Sequence, residues 1–218
     1  MATTYDRSVE LHTSAVRHER DAGLRAVFLI ALRYTLITTV LVGIVYPLAI
    51  TGMAHLMMPA KADGQLIVRN GQVIGSAIIG QNFTSPRYFH PRPSAAGTGY
   101  DAANSGGSNL APSNRALITR IDDDIAAWHR RLPQAPPAVP IDLVTTSASG
   151  LDPDISPAAA YFQIPMVAAA RHLPESAVRA LVTSHIEKRQ LGFLGEPRVN
   201  VLRLNLALDS LDAQRTEK

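Results

Sequence analysis

The chain has 218 residues, 46% of them hydrophobic and only 18% charged, with a formal net charge of +3 and no cysteine. The length suits one ordinary domain plus an appendage. The low charge content points to an apolar segment inflating the average. The absence of cysteine excludes disulfides, thiolate catalysis and cysteine-based zinc sites. The small positive charge, spread without a basic block, gives no footprint for nucleic acid.

In chain order, residues 1–23 read as a polar tail of mixed charge, cytoplasmic and at most weakly helical. Tyr34 to Ala60 contains no Asp, Glu, Lys or Arg. The run exceeds the roughly 20 residues that cross a bilayer as a helix, so residues 24–60 are expected to form the membrane-spanning region. A cleaved signal peptide has a shorter apolar run nearer the N-terminus. Pro47 is tolerated inside such a helix and should kink it. Arg17, Arg20, Arg25 and Arg33 precede the span, whereas Lys61 and Arg69 follow it. The positive-inside rule then sets the N-terminus in the cytoplasm and residues 61–218 outside.

The remainder is long enough for one core. Gln65 to Gln81 carries two apolar runs about Asn70-Gly71, a hairpin signal because a type I′ turn needs positive φ. The segment NFTSPRYFHPRPSAAGTG mixes aromatics and prolines without helical period. It reads as irregular chain packing through Phe83, Tyr88 and Phe89. Tyr100 to Asn114, YDAANSGGSNLAPSN, is a long polar loop rich in turn formers. Ser113 is the expected N-cap of the helix that follows, whose apolar stripe is Leu117, Ile121, Ile125, Trp128 and Leu132. Asp122, Asp123 and Asp124 are consecutive, so they point in different directions and read as a solvated face.

PQAPPAVP, from Pro133 to Pro140, reads as a stiff connector. A second polar loop ends at Ser156-Pro157, an N-cap and first helical residue. The helix after it contains Pro165 and should bend there. Pro174-Glu175 opens another helix expected to reach Arg189, with Gly192 just beyond. VNVLRLNLAL alternates as a strand does. Hairpin, three helices and a strand make a small α+β domain beside the membrane, so the expected class is α+β with one N-terminal transmembrane helix.

Catalytic patterns are weak. Ser105-Gly106-Gly107-Ser108 lacks the lysine of a P-loop and stands several residues ahead of the helix. A serine hydrolase built on Ser108, His90 and Asp152 is the alternative reading, but no G-x-S-x-G elbow supports it. No histidine pair at i, i+4 suggests a metal site. Rigid polar loops on a scaffold are instead where binding usually sits.

The motifs IIGQNF (Ile78 to Phe83), YFHPRPSAAG (Tyr88 to Gly97), SGGSNLAPSN (Ser105 to Asn114), DLVTTSASGLDPDISP (Asp142 to Pro157), QIPMVAAAR (Gln163 to Arg171) and LGFLGEPRVNVLRLNLALD (Leu191 to Asp209) stand in order along the chain. In these, and in the single N-terminal span, the chain resembles the C-subunit family of the bacterial Kdp high-affinity potassium-transporting P-type ATPases. Pro91 and Ala111 stand where family members often have glycine, and Asp154 where histidine is common. The N-terminal tail is longer than usual.

The resemblance implies a noncatalytic accessory subunit in the cell membrane. Its partners would be a potassium-channel-like subunit, a P-type ATPase subunit that hydrolyses ATP, and a very small membrane peptide. It implies no tightly bound cofactor, with ATP met only in a transient complex with the ATPase subunit. The family has also been proposed to raise the ATP affinity of that partner, with the residue matching Gln163 implicated as a nucleotide contact. That role conflicts with an extracytoplasmic domain, whose consistent role is to cover the potassium entrance and brace the channel subunit. On a mostly apolar helix, Gln163 reads as a buried or interface hydrogen-bonding residue. The expected partner-docking residues are Gln81, Phe83, His90, Arg92, Ser105, Gly106, Gly107, Ser108, Asn109 and Asn114.

Overall fold

In the computed structural model, residues 23–216 are described; the expected tail falls, apart from its last residue, outside them. The chain divides into two compact units, one ending at Asp63 and one beginning at Gly64.

The first unit is built on α1, Gly23–Met57, whose apolar window is entirely unburied. At about 1.5 Å rise per residue it is on the order of 50 Å long, more than the roughly 30 Å hydrocarbon core of a bilayer. The fold absorbs Pro47 locally. Residues Leu41–Val45 form a π turn, and the Tyr46 N–H donates to the Leu41 carbonyl, five residues back. Proline lacks an N–H and crowds the carbonyl four residues earlier; here that residue is Gly43, which has no side chain. The wider turn gives the ring room.

The second unit begins with the expected hairpin, β1 (Leu66–Arg69) and β2 (Gln72–Ser76), paired antiparallel with Arg69 opposite Gln72. Asn70 and Gly71 have φ of 53° and 77°, the positive pair that a type I′ turn requires. An extended stretch follows, with Phe89 and His90 buried. Helix α2 spans Arg115–Arg131. Its N-cap is Asn114, not Ser113: Asn114 has extended backbone and its side chain accepts from the Ala116 N–H at 2.8 Å. Asparagine caps as well as serine does. Asp122 and Asp123 are exposed, and Asp124 is half-buried.

Ser156 caps α3, Pro157–Arg171, with Pro157 at its start, as the sequence suggested. The helix continues through Pro165. Helix α4, Glu175–Ser184, stops short of Arg189 because the chain turns at His185 into β4, Ile186–Glu187. The expected terminal strand is also corrected. Only Arg198–Asn200 is extended (β5); Val201–Thr216 is a helix, α5. The switch follows from period. Val199 and Val201 alternate like a strand, but Val201, Leu204 and Leu208 are buried at helical spacing. β5 is the centre of a three-stranded antiparallel sheet with β3 (Asp154–Ile155) on one side and β4 on the other.

The core lies where α2 to α5 meet this sheet, about Trp128, Leu143, Ile164, Val167, Val199 and Leu204. Trp128 donates its indole N–H to the Leu143 carbonyl and meets Phe162 edge-on at 5.9 Å. Each satisfies one half of an amphipathic ring: its polar tip finds an acceptor and its body an apolar neighbour. The protein is therefore one long apolar helix followed by a small mixed α+β domain.

Candidate functional site

Residues 87–92 form a spine that reaches the rest of the domain through side chains rather than a sheet ladder. Phe89 donates its N–H to Asn205 Oδ1 at 2.8 Å and receives Asn205 Nδ2 on its carbonyl at 3.0 Å. His90 donates its N–H to Gln163 Oε1 at 2.7 Å and receives Gln163 Nε2 on its carbonyl at 3.1 Å. Both amides are buried, Gln163 completely. Each presents the donor and acceptor that a neighbouring strand would otherwise supply. Two residues before Phe89 in the spine, Arg171 binds the Arg87 carbonyl through Nε and forks to Asp209 and Asp212 at 2.8 and 2.6 Å. Its guanidinium also lies 4.8 Å from the Tyr88 ring centre. Two planar, multidentate contacts of this kind need arginine rather than lysine.

The His90 ring stands between the Ser85 carbonyl, 3.2 Å from Nε2, and Arg131, 3.2 Å from Nδ1. Arginine only donates, so Nδ1 is the acceptor and Nε2 carries the proton. Burial, then the Arg131 charge, holds the imidazole pKa below its ordinary value. Arg92 pairs with Asp152 at 3.1 Å and reaches the carbonyls of Thr145 and Thr146 at 3.3 Å each. The Tyr100 hydroxyl donates to the Arg92 carbonyl. Burial, with Asp152 nearby, pushes that phenol far above its usual pKa. His90, Arg92, Tyr100, Asp124 and Arg131 share the wall of a cleft of about 280 Å³. Burial also raises the Asp124 carboxyl.

Beyond Arg92, the two polar loops fold against each other. Gly106 N–H donates to the Ser149 carbonyl at 2.8 Å, and Ser105 Oγ donates to the same oxygen at 3.0 Å. Ser94 Oγ donates to the Gly150 carbonyl at 2.6 Å. The glycines here are required by proximity. A Cβ on Gly150, whose φ is +67°, would lie 2.6 Å from the Ala96 nitrogen and 2.7 Å from the Gly106 oxygen. A Cβ on Gly107 would meet the Ala148 oxygen at 3.0 Å. Small residues thus let two backbones touch.

The sequence-predicted residues fall into three places. Gln163, His90 and Arg92 hold the spine. Gln81 donates to the Ile74 carbonyl at 3.0 Å, and Phe83 packs half-buried against the core, 5.4 Å from Tyr88. Ser105, Gly106, Gly107, Ser108 and Asn109 shape the loop pair, with Ser105 and Asn109 exposed; Asn114 caps α2. The hydrolase grouping is not assembled. Thr146 is the hydroxyl neighbour of Ser108, at 3.5 Å; His90 faces Ser85 and Arg131; and Asp152 faces Arg92. A nucleophile needs its base within about 3.2 Å and an orienting group behind that base.

Sequence reading missed Asn205, Asn200, Arg171 and Asp142. Asn200 donates to the Ala77 carbonyl at 2.8 Å and to Asp154 at 3.1 Å. Asp142 accepts the Ser156 N–H at 2.6 Å, tying the loop to the start of α3. Their shared signal is a polar side chain at an apolar position of a helical or strand period. Reading Val201 onward as a strand hid it for Asn205.

Comparison with known proteins covers almost the whole of this architecture. A family model described as KdpC, K+-transporting ATPase, c chain, matches residues 28–210. A potassium-transporting ATPase KdpC subunit from Acidobacterium capsulatum is 58% identical over 181 residues, covering 83% of this chain and 96% of the relative. The protein of the same description from Koribacter versatilis is 55% identical over 184 residues, covering 84% and 94%. That from Bradyrhizobium diazoefficiens is 54% identical over 191 residues, covering 82% and 94%. With its apolar helix, its mixed domain and this match, the chain belongs to the KdpC family, the c chain of the K+-transporting ATPase.

Proposed function

We propose that the chain is a noncatalytic accessory subunit of an ATP-driven, high-affinity potassium uptake complex in the bacterial inner membrane. Helix α1 anchors it with the N-terminus in the cytoplasm, and the α+β domain lies outside. There it braces a potassium-channel-like subunit at the ion entrance and supports assembly with a P-type ATPase subunit and a small membrane peptide. Supporting the orientation, Arg17, Arg20, Arg25 and Arg33 precede the apolar stretch in sequence, against Lys61 and Arg69 after it.

The observation that carries the reading is the mutual packing of the two Gly/Ser-rich loops. Their hydrogen-bonding groups are spent on loop shape, as at Gly106–Ser149 and Ser94–Gly150. A surface stiffened in this way suits docking, because little conformational freedom is lost when a partner binds. Ser105, Asn109 and Asn114 are its outward-facing members. Gln163 supports function by positioning His90. With the domain outside the membrane, any effect on the ATP affinity of the ATPase subunit is transmitted through the complex rather than by touching nucleotide.

The test is purification of the tagged full chain in mild detergent from potassium-starved cells. The expected product is a complex with potassium-stimulated ATP hydrolysis, while the chain alone hydrolyses neither ATP nor esters. Ester turnover by the chain alone, lost in Ser108→Ala, would replace this reading with the hydrolase one.

A further inference from the structure

Trp128 meets two basic side chains from different parts of the domain. The His90 ring, from the spine, lies 5.6 Å from it, and the Arg131 guanidinium, from the last turn of α2, lies 5.2 Å from it. These two are also joined to each other, with Arg131 donating to His90 Nδ1 at 3.2 Å. His90 is buried, and its other nitrogen donates to the Ser85 carbonyl. The C-terminal end of α2 is fastened to the spine through this group.

The join exists only for a neutral imidazole. A proton on Nδ1 turns the acceptor into a donor and sets two cations within hydrogen-bond distance in a buried place. The Nε2 contact survives, because the Ser85 carbonyl accepts from either form of the ring. Acid therefore acts on the Arg131 contact alone. The other charged and titratable groups on the cleft wall are Arg92, Tyr100 and Asp124. Asp152 answers the charge of Arg92 at 3.1 Å, and the Tyr100 hydroxyl is spent on the Arg92 carbonyl. From α3 the neighbour is the neutral amide of Gln163.

Asp124 is different. Among the described residues, the buried side-chain atoms with no hydrogen-bond partner are Arg120 Nε and Asp124 Oδ2. Arg120, Asp124, Trp128 and Arg131 follow one another at helical spacing along one face of α2. Burial raises the Asp124 carboxyl, and the charges of Arg120 and Arg131 oppose that rise. Buried acceptors are almost always partnered, so an orphaned oxygen on the same face is a destination for a donor released nearby.

We propose that His90, Arg131 and Asp124 form an acid-sensitive latch: when His90 Nδ1 takes up a proton, the Arg131 guanidinium leaves the ring for Asp124 and the end of α2 is released from the spine. The latch is a property of the domain itself and does not depend on the subunit reading above. Its neutral form is the closed one.

The test follows the fluorescence of Trp128, the chain's one tryptophan, in the full chain in detergent. Between about pH 8 and about pH 5 a single transition is expected, with its midpoint below 6.5. It should vanish in His90→Asn and move upward in Arg131→Gln, where the neighbouring cation is gone. It should persist in His129→Asn, which removes the histidine next to Trp128 in sequence. Far-UV circular dichroism should stay constant through it. Transfer to Asp124 is read from denaturation of Arg131→Gln, Asp124→Asn and the double variant at both ends of the titration. The two changes should couple below the transition and add above it. A flat titration, a transition that survives His90→Asn, or one that coincides with loss of helical signal overturns the latch. So does a midpoint indifferent to Arg131→Gln, or a coupling of equal size at both ends.

Discussion

Gln163 on α3 and Asn205 on α5 bind the backbones of successive residues, His90 and Phe89, each through both ends of its side-chain amide. Two helices are thereby fastened to one irregular segment that lies outside both sheets. The spine they hold leads directly to Arg92 and the two polar loops, so the amides set the position of the proposed docking surface from inside the domain.

Gln163→Ala removes the partners of a buried N–H and a buried C=O. At about 1–3 kcal/mol per orphaned group, the loss of stability should be on the order of 2–6 kcal/mol, and Asn205→Ala should cost a similar amount. Because the two sites share one short segment, the double variant should fall short of the sum. Chemical denaturation of the four forms checks this; strict additivity would mean that the spine does not act as a unit.

Much of this was legible in the sequence. Asn70-Gly71 gave the hairpin, Ser156-Pro157 the start of α3, and the uncharged run from Tyr34 the long helix. Gln163 is buried, as its place on an apolar helix suggested. What escaped notice was short or mixed in period. β3 and β4 have two residues each and β5 three, too few to show an alternation. From Val199 onward the apolar residues satisfy a strand period and then a helical one, and only tertiary packing decides where the change falls. The contact between the Gly/Ser loops joins Gly106 to Ser149 across a long separation, which composition alone does not encode.

Gly150→Ala tests that loop contact. The added methyl meets backbone at 2.6 Å in a left-handed conformation, so the loops must part. The expected loss is about 1–3 kcal/mol, with new protease cleavage within residues 100–110. Gly99→Ala, where φ is +109° but no atom lies within 4 Å, isolates the backbone strain and should leave the 100–110 loop uncut. Equal cleavage in both variants would show that contact with Gly106 is not what orders the loop.

His90 gives the fold a pH dependence of defined sign. Burial and Arg131 depress its pKa below 6.5 in the folded protein, so the unfolded chain binds the proton more readily. Its contribution is therefore present above about pH 6.5 and is lost as pH falls toward the folded value. Melting temperature should drop between pH 7 and pH 5, and His90→Asn should flatten that part of the slope. A histidine variant that keeps the full slope would assign it to other groups.

The most direct test concerns the side of the membrane on which the domain lies. The chain has no cysteine, and Ser105 is exposed on the loop pair. Ser105→Cys, expressed with the other subunits in intact cells, is treated with a membrane-impermeant thiol reagent. Labelling from outside, reduced once the complex has assembled, is the expected result for a bracing domain at the potassium entrance. Labelling only after the membrane has been opened would place the domain in the cytoplasm, remove the bracing role, and return direct nucleotide assistance through the region of Gln163 to consideration.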